Sequence, residues 1–455
     1  MIQTIKKHTL WLACMAAFVL TSCDKTAHEI PEEAPKGSPT VTVGINTDAI
    51  GDTPLKDVHL YFFDASEMLA KHTYYPTMQS LALDRMLMES GYYTIFAILN
   101  TEESLVPVSS RAAELPQISF SEFCQWVKKL DNGTYPDLAT GLVRYEVKDG
   151  VSQIIIDVKK GSEAVEMSTV TLNLTFPSPR LPDFVATQQK SRAAGDEVRL
   201  RAIIEVYKKD KKELVLRKQE FLAPTAAEGV YTTDLQLSPA EYDLRIWGDY
   251  TADAMTDNHY ITTDADIIRI RPKADYTANS DTRDAFSKAT AFTVGKQNST
   301  EPITMHRPVA KYRLVATDVA KYEQIRTQKG YPALADLKIF IGYETFLPNA
   351  YSISQNKPAD SDTGYSYNSA LSEQSDGKAT IGKDYILVNG TESFVTVTIL
   401  FKDAAGKTVS GVRGVKIAYR AGQLTTVSGD FLTAGLGSGV TINTDWNDEE
   451  YNVEF

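Results

Sequence analysis

The sequence predicts an all-β protein of tandem β-sandwich domains with a few short helices. Three observations carry this. Short runs rich in Val, Ile, Thr and Tyr alternate apolar with polar residues and are bounded by Gly, Pro, Asn and Asp. Stretches with helical period are few. One order of runs recurs three times along the chain.

The first unit opens with Thr40–Ile45, continues with Val58–Asp64 and Gly91–Ile98, and closes near Val151–Val158. The second opens with Thr169–Leu174 and continues with Leu200–Tyr207 and Glu241–Trp247. It closes with Ala291–Val294 and Ile303–Met305. The third opens with Ala310–Val315 and continues with Leu337–Ile341. A late pair, Phe394–Phe401 and Val412–Tyr419, is joined by the hairpin signal Asp403–Gly406, and the unit ends with Gly439–Asn443. Val395, Val397, Ile399 and Phe401 alternate with Thr396, Thr398, Leu400 and Lys402, which places one strand face on a core. Two such sheets packed face to face make a sandwich.

Two segments read as helices that connect strands. Ser119–Leu130 places Phe120, Phe123, Cys124, Val127 and Leu130 on one face, with Ser119 or Ser121 as cap. Asp318–Lys329 groups Val319, Tyr322 and Ile325; Asp318 is the expected cap, and Gly330 with Pro332 ends the helix. Pro177–Gly195 reads as a long loop inside the second unit, and Gln355–Lys378 as a long exposed polar loop. The expected divisions are 1–22, 23–39, 40–161, 165–307 and 308–455.

The first of these divisions is an address. Lys6 and Lys7 precede an uncharged apolar run, Leu10–Leu20. A membrane span needs about 20 apolar residues, so this run is a signal-peptide core. Leu20-Thr21-Ser22-Cys23 then reads as a lipobox, with Cys23 as the residue that carries diacylglycerol and acyl chains such as palmitate. Several chains on one residue anchor stably where one would not. The competing reading is an ordinary cleaved signal followed by a chance Cys. The next residues, to Pro39, hold Pro31, Pro35, Glu29, Glu32 and Glu33 and no apolar period, which suits a solvated tether.

Composition bounds the rest. The 455 residues suffice for about three domains, and 43% hydrophobic content suffices for real cores. The net charge is −12, and losing Lys6 and Lys7 with the signal makes it −14. Nucleic acid is excluded as a partner, because phosphate binding needs clustered Lys and Arg. Of three cysteines, Cys14 lies in the signal and Cys23 takes the lipid, so Cys124 stands alone and reads as a small core residue.

No motif converges on catalysis, and no enzyme, cofactor or metal is expected. His59, His72, His259 and His306 are scattered, and His59 on a strand reads as structural or surface. Gly435–Gly439 lacks the Lys of a phosphate loop and has no nucleophile-elbow spacing. Asp360–Gly364 and Asn443–Glu450 hold oxygen ligands at close spacing, but the twelfth position of a calcium loop starting at Asp360 is Leu371, so both read as solvated loops. Tyr351, Tyr365 and Tyr367 are loop aromatics that either stack on sugars or pack locally.

Three segments carry a resemblance. Glu241–Tyr250 (EYDLRIWGDY), the junction Arg307–Tyr312 (RPVAKY) and the closing Arg420–Gly429 (RAGQLTTVSG) resemble, in that order, segments of the fimbrillin-like lipoproteins. These are type V pilus subunits and fimbrial anchor proteins of Bacteroides-type bacteria. The likeness covers about residues 169–455, and the first unit repeats its first half more loosely. It implies transthyretin-like sandwiches of Greek-key type, an outer-membrane, surface-exposed location on a fimbrium, and other fimbrial subunits as partners through strand exchange. In strand addition, main-chain hydrogen bonds supply affinity and alternate side chains fill pockets. Stalk subunits of that family expose their groove after Arg- or Lys-directed cleavage. Arg111 and Arg192 are the candidate processing sites, but neither follows a lone N-terminal strand. The chain ends at Phe455 directly after the last expected strand, with no donor tail. The expected role is therefore an anchor or accessory subunit in pilus assembly and cell adhesion that keeps its lipid on Cys23, with host or bacterial surface ligands as further candidate partners. The alternative is a glycan-binding surface lipoprotein.

Overall fold

The computed structural model describes residues 39–102, 118–177, 198–209, 213–264, 266–375, 377–390, 393–435 and 453–454. Leu20, Thr21, Ser22, Cys23, Arg111, Arg192 and the expected strand Gly439–Asn443 lie outside these residues. The fold is all-β with few helices.

The first unit holds β1 (Thr40–Asn46), β2 (Val58–Phe63), β3 (Leu69–Tyr75), α1 (Met78–Leu83), β4 (Met86–Leu87), β5 (Gly91–Leu99), α2 (Phe120–Leu130), β6 (Ala139–Val147) and β7 (Val151–Lys160). Its strands form one sheet in the order β3-β2-β5-β6-β7-β1-β4. The sheet folds over at β6, whose Ala139–Gly141 pair with Val158–Lys160 while most of β7 pairs with β1. A Cβ on Gly141 would lie 2.7 Å from the Asp157 carbonyl oxygen, so this corner needs glycine. The fold-over encloses Val41, Val43, Leu60, Phe62, Ile95, Ile154 and Ile156. On the other side of β2, Tyr61 and Phe63 meet Phe120, Phe123, Cys124 and Val127 of α2. That double burial explains why β2 reads as an unbroken apolar run. Ser119 caps α2 in a reciprocal box with Glu122.

The second unit holds β8 (Ser168–Thr175), β9 (Arg199–Lys208), β10 (Glu213–Phe221), β11 (Ala223–Pro224), β12 (Val230–Leu237), β13 (Ala240–Thr251), β14 (Tyr260–Ile261), β15 (Ile267–Ile270), β16 (Phe286–Val294) and β17 (Ser299–Thr304). Sheets β10-β9-β13-β16 and β11-β12-β8-β17 close over Leu172, Leu174, Ile204, Val206, Leu244 and Ile246.

The third unit holds β18 (Val309–Ala316), α3 (Val319–Lys329), β19 (Lys338–Tyr343), β20 (Leu347–Ser352), β21 (Lys357–Asp362), β22 (Ser366–Ser369), β23 (Ser372–Ser375), β24 (Lys378–Leu387), β25 (Ser393–Lys402), β26 (Thr408–Tyr419), β27 (Gln423–Gly429) and β28 (Val453–Glu454). Its sheets are β23-β24-β18-β27-β28 and β22-β19-β25-β26. Val395, Val397, Ile399 and Phe401 face the core as the alternation predicts.

One plan underlies all three units. The opening strand pairs in parallel with the closing strand: β1 with β7, β8 with β17, β18 with β27. The opposing sheets β3-β2-β5-β6, β10-β9-β13-β16 and β22-β19-β25-β26 correspond strand for strand.

Two expectations need correction. Gln355–Lys378 is not a loop: it supplies β21, β22 and β23, whose polar composition hides strand pairing. Of the two readings of Tyr351, Tyr365 and Tyr367, local packing holds, since all three are buried. The Asp318 side chain does not cap α3; its carboxylate accepts from the backbone of Leu432 and Thr433 and ties the chain beyond β27 to the helix. Gly330 does end α3, in the left-handed conformation. Among the described residues, β27 pairs in parallel with β18, and a further strand, β28, pairs with β27.

The second and third units share structure across the expected boundary at 307–308. β14 and β15 join β20 and β21 in one four-stranded sheet. Trp247, Tyr260, Ile268 and Tyr276 belong to the core of the third unit. The segment between β15 and β16 is pinned by charge. Arg283 lies 2.9 Å from Asp384, whose other oxygen accepts from Tyr276 and Tyr343. Asp281 meets Lys311 at 2.6 Å and Lys383 at 2.9 Å. Asp284 receives Arg307 at 2.9 and 3.0 Å. Burial opposes ionisation of Asp281, yet Lys311 and Lys383 hold its carboxyl below the usual range. Removing one member of a buried pair strands the other charge, at a cost of about 3–5 kcal/mol. Asp384→Asn is therefore expected to lower unfolding free energy by about that amount in urea. Asp430→Asn, which breaks the exposed pair with Lys321, is expected to change it by less than about 1 kcal/mol.

Candidate functional site: sheet edges open to an added strand

An all-β chain interacts most directly through unpaired strand edges, which display rows of N–H and C=O groups. The three-fold plan shows where such edges lie. In the second unit, β12 pairs with the opener β8 from Ser168 to Thr175. In the third, β24 pairs with β18 from Val309 to Ala316. The corresponding side of β1 is paired only at Thr40 and Val41, by the two residues of β4. Among the described residues, no strand pairs with this side of β1 from Thr42 to Asn46.

That place is held by α1 and its flanks. α1 is six residues long, capped by a reciprocal Thr77–Ser80 box, and seats Leu81 in the core. A helix this short has little intrinsic stability. Leu83 and Leu87 beside it are 75% and 52% exposed. Across the sheet, Val151 and Ile155 are also exposed, at 74% and 59%, and the register places Leu87, Thr40 and Val151 in one row. The outer face of β4-β1-β7 thus shows Leu87, Val151 and Ile155 to solvent beside the edge that no strand covers.

The second edge is β27. Its outer side pairs with β28 through Gln423–Glu454 and Leu424–Val453, antiparallel. The residues after Gly429 therefore include a strand added to the closed sheet.

The first unit is fixed to the second by buried polar contacts. Gln219 N–H donates to Ala65 O at 2.7 Å, Arg144 to Gln236 O at 3.0 Å, and Gln236 to Ser121 Oγ at 3.1 Å. Lys218 lies 3.5 Å from Glu67, whose carboxyl burial pushes upward in pKa. Glu205 rises to about 7 for the same reason, opposed by Arg217.

The residues singled out for chemistry have structural roles. The Cys124 thiol is buried and pushed up to about 12, which removes it as a nucleophile at neutral pH. Asp360 pairs with Arg269, and Asp362 with Lys273. Among the described residues, no cluster of three or more His, Cys, Asp and Glu could hold a metal, and no helix is long and apolar enough to cross a membrane. His59 is buried, with Nε2 2.9 Å from the Glu102 carbonyl and Nδ1 3.0 Å from His72 Nε2. A carbonyl only accepts, so His59 carries its proton on Nε2 and His72 donates to Nδ1.

Three comparisons with known proteins bear on this geometry. The family of unknown function DUF6562 matches residues 162–455. The chain belongs to this family. No curated protein matches it. Among solved structures, it is similar to a candidate polysaccharide-binding protein from Bacteroides thetaiotaomicron, at 12% identity and TM-score 0.36 over 54% of this chain and 80% of that one. It is similar to a candidate adhesin from Bacteroides ovatus, at 12% and 0.35 over 54% and 78%. It is also similar to the fimbrial anchor protein Mfa2 from Porphyromonas gingivalis, at 12% and 0.30 over 54% and 82%.

The histidines make acid stability testable. Burial and then His59 lower His72 to about 4; burial, Arg283 and Arg271 lower His259 to about 3. Both stay neutral when folded and charge near pH 6.5 when unfolded. The unfolded chain then binds more protons, so their contribution is complete above about pH 6.5 and is lost as pH falls toward 4. The melting temperature is expected to drop across that window, and His72→Gln should flatten the drop.

Proposed function

We propose that this chain is a lipid-anchored surface protein, a fimbrial anchor or accessory subunit of the outer membrane that works by strand addition in pilus assembly and adhesion. The observation that carries this reading is the free side of β1. A neighbouring subunit's strand takes the place that β12 and β24 fill in the other two units and displaces α1. Apolar side chains at alternate positions of that strand take the core place that Leu81 leaves, beside Leu87, while its backbone pairs with Thr42–Asn46. β28 on β27 supports the same chemistry at the far end, as a strand lent to a closed sheet. The lipobox supports retention through Cys23. The glycan alternative has no support from Tyr351, Tyr365 and Tyr367, since all three are buried.

The N-terminus and mass of protein purified from membranes test the anchor. An acylated Cys23 is the expected start; a start after Arg111 or Arg192 would replace the anchor with a cleaved, polymerising subunit. Leu87→Lys, on β4 beside Thr40, tests the acceptor edge. The residue is exposed, so stability should shift by no more than about 0.5 kcal/mol. Lysine at an edge disfavours strand pairing. Cells carrying the variant are expected to shed pili, and unchanged pilus retention would refute the acceptor role.

A further inference from the structure

The outer face of β22-β19-β25-β26 is distinct from both edges. Its inner face is the core of the third unit; its outer face combines aromatic rings with cations. Phe340 lies opposite Leu400, and Lys402 sits over the Phe340 ring at 4.8 Å. Lys338 lies opposite Lys402. Six residues before Leu400 on β25, Phe394 is 55% exposed with Lys416 over its ring at 4.2 Å. Arg413 is exposed in the bulge between them. At the rise of an antiparallel strand, the two ring–lysine pairs stand ~20 Å apart.

The charge on this face is opposite in sign to the chain's −12. Among the described residues, none of Lys338, Lys402, Arg413 and Lys416 forms an ion pair. The carboxylate in the middle of the face, Glu344, accepts from Thr398 and the Gly414 N–H. Four cations thus surround apolar rings on one sheet face of an acidic protein. A charged ligand is drawn to such a patch by its local field, while exposed rings favour a partner with apolar faces.

We propose that this face binds an acidic polysaccharide, a chain of uronic-acid type whose carboxylates meet the lysines and whose C–H faces lie on Phe340 and Phe394. Two ring–lysine pairs ~20 Å apart on one face suit an extended polymer. Four cations are few for a nucleic acid, whose binding rests on many neutralised phosphates. This site is independent of strand addition at β1, and either can fail without the other.

The test is native electrophoresis of the full chain through gels containing polygalacturonate or neutral dextran. Retardation by polygalacturonate, absent in dextran and reduced by added salt, is expected. Lys402→Gln with Lys416→Gln should weaken apparent affinity about tenfold, and Phe394→Ala should weaken it without changing the salt slope. All three side chains are at the surface, and unchanged melting temperatures verify folding. No retardation by polygalacturonate, equal retardation in dextran, or retardation unaffected by the substitutions would overturn the assignment. So would binding to phosphatidylglycerol vesicles, or a self-association state, that responds to these substitutions while polygalacturonate binding does not.

Discussion

Everything in this molecule hangs on the parallel clasp between the first and last strand of each unit. A parallel pair cannot be made by a hairpin, so the chain must travel through the opposing sheet before it returns. That detour builds the second sheet, and closing the clasp encloses the core. β1 with β7, β8 with β17 and β18 with β27 are three instances of one solution. The clasp uses one side of each opener and leaves the other to be filled. β12 and β24 fill it; α1 and the two residues of β4 do so only in part.

Between units, buried charge does what apolar contact does within them. The Asp281, Asp284 and Asp384 carboxylates hold the stretch before β16 against β18 and β24, and β14 and β15 extend a sheet of the next unit. Replacing such a network by apolar groups often costs nothing, whereas breaking it is expensive, so it favours one docking geometry over others more than it adds stability. Lys218 and Glu67 with Arg144 and Gln236 have the same part at the other joint.

The all-β class, the repeat of strand runs and α2 were legible because each is local. Val395 to Phe401 alternate, Ser119 and Glu122 sit at box spacing, and Gly330 stands where α3 must end. The strands between Lys357 and Ser375 were not legible: Ser and Asp on both faces resemble a loop when the pairing partner is distant in sequence. Tyr365 and Tyr367 looked exposed because their neighbours are polar, yet the Tyr367 hydroxyl shares a hydrogen bond with that of Tyr312 within a buried phenol network. The arm before β16 carries no period at all; Asp281 and Arg283 meet Lys383 and Asp384 of β24, and Asp284 meets Arg307, partners that are distant in sequence. The free side of β1 is invisible in Thr40–Asn46, which looks like any opener. It is a property of what the rest of the fold leaves beside that strand, and only the three units laid against one another reveal it.

The clasp also has a mechanical meaning. In a parallel pair, the chain enters at one end of the first strand and leaves at the opposite end of the second. Tension between entry and exit slides the strands lengthwise, so their hydrogen bonds are loaded together and not peeled one by one. Three such clasps in series, joined by stiff polar joints, make a coupling that resists pulling along its length.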